Sequence, residues 1–84
     1  MNLEKSPELS ALMEERGIRD EEVTKVISEA ESSGDKMYKP DTPDCLAKLK
    51  IDEATYFVEY SVIDADNFKV NKAYSMKTDF AEEL

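Results

Sequence analysis

Few side chains in this sequence offer chemistry. Cys45 is its one conventional nucleophile. A thiol attacks as the thiolate, and a neighbouring base normally supplies that form. The 84-residue chain has no His to act as that base. Cys45 also opens an alternating run with Ala47, Leu49 and Ile51, which reads as a small core residue. The carboxylates are numerous and scattered. Asp64, Ala65, Asp66 and Asn67 come nearest to a calcium loop, but Lys69 and Ser75 stand where such a loop needs its Gly and its Glu. The segment therefore reads as a turn. Gly17 and Gly34 are the only glycines, so no glycine-rich phosphate loop can be written. These residues point to no catalytic set, no metal site and no cofactor.

Four tyrosines are the other candidates. Tyr56, Tyr60 and Tyr74 fall on predicted strand faces together with Phe68, and Tyr38 stands apart. Tyrosine on a sheet is either core, with its hydroxyl at the rim, or an exposed binding platform. The expected faces are Tyr56, Val58, Tyr60 and Val62 on one strand and Phe68, Val70, Lys72 and Tyr74 on the next. Either Tyr56, Val58 and Tyr60 or Cys45, Leu49 and Ile51 is expected to lie partly open.

The elements that position these residues follow from local patterns. Residues 1–6 read as frayed. Ser6 and Pro7 start a helix over residues 7–16, with Leu9, Leu12 and Met13 on one face. Gly17 ends it, and Ile18 can fold back on Met13. Asp20 reads as the cap of a second helix, whose stripe is Val23, Val26, Ile27 and Ala30 and which ends at Gly34. After a short Met37–Tyr38 strand, Pro40 and Pro43 mark a loop. Three alternating runs follow: Cys45–Ile51, Thr55–Val62 and Phe68–Ser75. Thr78–Leu84 reads as a tail, with Phe80 and Leu84 spaced for one helical turn. The expected fold is α+β: two N-terminal helices packed on a three- to four-stranded antiparallel meander, a two-layer sandwich. The whole of 1–84 reads as one domain, frayed at 1–6 and 77–84.

Charge limits the function. Twenty acidic residues against eleven basic ones give a net charge of −9. Such a balance opposes nucleic-acid binding, which needs a basic face. No apolar run is long enough to span a membrane, and the chain reads as cytoplasmic. The acid is uneven: residues 1–35 hold ten acidic and four basic residues, whereas 36–75 hold seven and six.

Arg16, Gly17, Ile18, Glu21, Glu22, Val23, Val26 and Ile27 resemble the opening of small bacterial domains of the RelE/BrnT toxin-like type. Thr55–Tyr60 and Val70–Ser75 resemble strand signatures of small bacterial proteins of this build. The resemblance implies a helical start leading into an antiparallel sheet. It also implies either association with a larger oxidoreductase or other enzyme, or a ribonuclease whose basic-aromatic site would fall on Lys69, Lys72 and Tyr74, with Lys77 nearby.

The leading expectation is a non-catalytic accessory protein that docks on a larger, basic protein partner. Its contacts would be helix carboxylates such as Glu14, Glu15, Glu22 and Glu29, since clustered charge steers association. The alternative is the ribonuclease or a degenerate relative of it. Homodimerisation through an edge strand or an open sheet face is a third expectation.

Overall fold

The computed structural model describes residues 1–77. The 78–84 tail, with its expected helical turn, lies outside the described residues. The chain runs β1 (Asn2–Glu4), α1 (Pro7–Arg16), α2 (Asp20–Ser33), β2 (Met37–Tyr38), β3 (Asp44–Ile51), β4 (Ala54–Val62) and β5 (Asn67–Lys77). It is an α+β fold with both helices on one face of the sheet. The sheet has five strands in the order β1-β5-β4-β3-β2 and is mixed, not a three- to four-stranded antiparallel meander.

The difference lies at the N-terminus. Residues expected to fray instead form β1, which runs parallel to β5 with Leu3 opposite Phe68. Leu3 packs against the core. The Asn2 amide donates to the Asp66 carbonyl at 2.7 Å, and its side chain donates to Asn67. A three-residue strand is too short to show an alternation, and its stability comes from β5, over sixty residues away. At the other end of the described residues, Lys77 closes β5 and pairs with Ala54.

The helices form for the reasons their termini suggest. Ser6 accepts from the Leu9 amide at 3.1 Å, and Gly17 takes the left-handed conformation with φ 72°. The Ile18 amide donates to the Met13 carbonyl at 2.8 Å, so the chain turns back and buries Ile18 beside Met13. The start of α2 differs from expectation. Arg19, not Asp20, is the cap residue, and the Glu22 side chain accepts its backbone N–H at 2.9 Å. This is one half of a capping box.

Val23, Val26, Ile27 and Ala30 lie against the sheet as their spacing requires, with Val26 and Ile27 fully buried. The register pairs Cys45 with Tyr60, Ala47 with Val58 and Leu49 with Tyr56. The two sets expected to compete for the helices therefore share one face, and both lie under them. Cys45 is core, as expected. The turn at Asp52 and Glu53 is closed with Asp52 at φ 57°, and Asp64 accepts from the backbone amides of Asp66 and Asn67. No helix among the described residues is long and apolar enough to cross a membrane.

The packing generates a direct contrast. Ile27→Ala should cost about 2–5 kcal/mol, because the helix stripe cannot close over the lost volume. Leu12→Ala, on a half-open position of α1, should cost less than about 1 kcal/mol. Urea midpoints of the two variants check this, and equal losses would contradict it.

Candidate binding surface

One irregularity decides what the outer face of the sheet displays. Glu59 pairs with Lys72, but Tyr60 pairs with Val70, so Asn71 is an extra residue in β5. A bulge of this kind re-aims the strand beyond it. Phe68 and Val70 point toward the helices before the bulge, and Ala73 does so after it. The expected face of Phe68, Val70, Lys72 and Tyr74 is thus split. Lys72 and Tyr74 turn outward and join Lys69 on the uncovered face.

There the register builds a row of Lys48, Phe57 and Tyr74 across β3, β4 and β5. The rings of Phe57 and Tyr74 stack with centroids 5.0 Å apart and planes 10° from parallel. A second row runs Met37, Leu46, Glu59 and Lys72. Tyr74, Met76 and Met37 are 40%, 55% and 69% exposed, so apolar area faces outward. Three strand carboxylates face outward: Glu4, which stands beside Lys69, and the engaged pair Glu59 and Asp44. Glu59 accepts from Lys39 at 3.0 Å, and Asp44 accepts from Asn71 at 3.0 Å. Lys48 and Lys72 flank the aromatic pair, Lys50 stands one row away and Lys69 two, so four lysines face outward against Glu4, Asp44 and Glu59.

The helical layer has the opposite character, with eight carboxylates against three cations over residues 7–33. Glu14, Glu15 and Glu29 are exposed there. Glu22 is not: it is 5% exposed and bound to the Arg19 guanidinium at 2.7 Å. It differs from the other three expected contacts in being buried, where it serves the helix start. The hydrogen bond from Arg19 outweighs the cost of burial and holds the Glu22 carboxyl below its ordinary value.

A second buried polar group escaped the sequence entirely. The Tyr60 hydroxyl donates to Glu31 at 2.6 Å, and Lys36 pairs with the same carboxylate oxygen. The Lys36 ammonium lies 5.4 Å from the Tyr38 ring centroid and 5.9 Å from that of Tyr60. Burial opposes the Glu31 charge, but the Lys36 and Tyr60 hydrogen bonds win and lower its pKa. Burial and the acceptor carboxylate push the Tyr60 hydroxyl strongly up. Burial raises the Cys45 thiol as well, and its Sγ lies 3.4 Å from the Tyr60 carbonyl. The cluster therefore pairs an ionised Glu31 with a charged Lys36 and a protonated Tyr60, and it ties the end of α2 to the sheet. Glu31 and Lys36 flank the Gly34 turn at a spacing outside helix periodicity, so no pattern announces the pair. Among the described residues, no three thiol or carboxylate groups are placed to hold a metal ion.

No family model matches the chain. No curated protein and no solved structure matches it.

The lowered carboxylates set a pH dependence. A depressed folded pKa adds stability that is full above the unfolded value and is lost as pH falls through the folded one. Stability should therefore hold from pH 7 to about 5 and decline below that as Glu22 and Glu31 protonate. The Glu22→Gln/Glu31→Gln variant should be less stable at pH 7 and show a shallower acid decline. Urea titrations across this range check it, and an unchanged slope would contradict it.

Proposed function

We propose that the protein is a small, non-catalytic accessory module of the cytoplasm that docks on a larger protein through the uncovered face of its sheet. One observation carries this reading: a stacked aromatic pair, Phe57 and Tyr74, lies open at the centre of a lysine-bearing face while the acid is gathered on the opposite layer. Rigid aromatic area at the centre of a patch binds at low entropic cost, and surrounding charge sets orientation. The partner surface that complements this face is acidic with an apolar centre. The partner could be an oxidoreductase or another enzyme; the chemistry of its surface matters, not its class. Glu14, Glu15 and Glu29 then face away from such a partner, and their repulsion orients the encounter. The buried Cys45, with its raised thiol pKa, supports a role without covalent chemistry.

A second reading has its own observation. The bulge gathers Lys69, Lys72 and Tyr74 on one face with Lys48 and Phe57, which is the basic-aromatic arrangement that a RelE/BrnT-like ribonuclease or a degenerate relative would need. Stacking on exposed rings and lysine contacts to phosphate are the ordinary means of holding single-stranded RNA. The net charge of −9 opposes it at long range.

Affinity capture from native lysate separates these readings from a third, in which the helix carboxylates dock on a basic partner. The wild type should retain one stoichiometric protein, released at high salt. Lys48→Glu/Phe57→Ala should lose it, and Glu14→Lys/Glu15→Lys/Glu29→Lys should keep it. The reverse pattern would assign docking to the helices and contradict the proposal. Cleavage or salt-sensitive retention of a single-stranded RNA by the pure protein would favour the ribonuclease reading instead.

A further inference from the structure

β5 is paired on both sides only at its start. β1 covers Asn67–Lys69, whereas β4 pairs with β5 through to Lys77. Among the described residues, no strand lies against the remaining edge. The β3–β4 turn fixes which backbone groups face that edge. Ile51 and Ala54 flank a two-residue turn, so they form a hydrogen-bonded pair. Alternation along β4 then directs Thr55, Phe57 and Glu59 toward β5. Their partners Met76, Tyr74 and Lys72 return those bonds. Ala73, Ser75 and Lys77 turn their N–H and C=O groups outward. Arg16 confirms the direction, because its Nη1 reaches across from α1 and donates to the Ala73 carbonyl at 2.9 Å.

Between this edge and α1 lies a groove of about 290 Å³. Leu9, Leu12, Arg16, Lys72 and Tyr74 are among its walls. The lining has two cations and no carboxylate, in a chain where acids outnumber bases twenty to eleven. The groove thus combines three features of strand addition: outward ladder groups, of which Arg16 occupies the Ala73 carbonyl, an apolar floor and a charge preference.

We propose that the β5 edge binds an extended acidic peptide segment as an added strand. The peptide backbone pairs with Ala73 and Ser75. Its inward side chains rest on Leu9 and Leu12, and its carboxylates meet Arg16 and Lys72. Arg16 exchanges the Ala73 carbonyl for a peptide carboxylate, which frees that carbonyl for a peptide amide. The same charges disfavour a second copy of the chain at this edge, since antiparallel self-pairing sets Lys72 and Lys77 of both copies along one seam. The proposal rests on the reading of the chain as an interaction module but uses the edge of β5; Lys72 and Tyr74 border both surfaces, whereas Lys48 and Phe57 stand on the face alone.

The test uses the full chain, labelled with ¹⁵N, and a capped peptide of alternating glutamate and valine at low salt. Saturable binding is expected, with slowed hydrogen exchange at the Ala73 and Ser75 amides. Arg16→Glu and Lys72→Glu should each weaken binding about tenfold. Lys25→Glu, with the same change in net charge on the far helix surface, should leave it unchanged. The same peptide N-methylated at every amide should not bind. Equal affinity for the methylated peptide, unchanged exchange at Ala73 and Ser75 in the bound state, or no saturable binding would overturn the proposal. The last outcome would make Arg16 and the lysines a guard on a bare edge only. None of these outcomes touches the face-docking reading, which is decided by the Lys48 and Phe57 variants.

Discussion

The extra residue at Asn71 is the constraint from which the functional surface follows. Without it, the alternation through β5 would place Lys72 and Tyr74 under the helices with Phe68 and Val70, and Ala73 outside. Burial of a lysine there would be costly, because an unpaired ammonium in an apolar layer loses its hydration. The bulge resolves the conflict by spending one residue without a ladder partner. Its amide side chain is not idle: Asn71 donates to Asp44 at 3.0 Å across two strands. The result is a core that closes with the small Ala73 and an outer face that gains a lysine and a tyrosine. The ring of Tyr74 then finds Phe57 directly across the strand pair.

Among the described residues, two helices shield one face of the sheet and nothing covers the other. A sheet of this size tolerates that only if the covered face is well filled, and the fully buried Val26, Ile27 and Tyr60 meet that demand. The polar groups that accompany this core are satisfied internally. Glu22 is held by Arg19, and Glu31 by Lys36 and Tyr60. No buried side-chain nitrogen or oxygen among the described residues lacks a partner. The acid of the helical layer is therefore of two kinds. Glu22 and Glu31 build the fold, while Glu14, Glu15 and Glu29 shape the field around it. A net charge of −9 describes neither layer, since the sheet face carries the opposite balance.

Much of this was legible in the residues. Ser6, Gly17 and Gly34 marked the helix boundaries because capping chemistry is local. The stripe from Val23 to Ala30 and the run from Cys45 to Ile51 named their buried faces, because each keeps one period from end to end. β1 was invisible because Asn2–Glu4 is a strand only by virtue of a distant neighbour. The Asn71 bulge was invisible because a break in alternation looks the same as a noisy strand until the partner's register is known. The candidate sites inherit these limits. Lys69, Lys72 and Tyr74 were named as a group from a resemblance, yet strict alternation set Lys69 on the opposite face. Glu22 reads as a surface residue with Lys25 and Glu29, yet it stands four residues before Val26, on the flank of the stripe, where its carboxylate takes the Arg19 guanidinium.

The central claim is that the two layers present opposed electrostatic surfaces, and it can be measured without a partner. Paired relaxation enhancements from an anionic and a cationic soluble spin probe report the local potential at each side chain and amide. A positive potential is predicted around Lys48, Phe57, Lys72 and Tyr74, and a negative one around Glu14, Glu15 and Glu29. A negative potential over the sheet face, of the same size as that over the helices, would contradict the account.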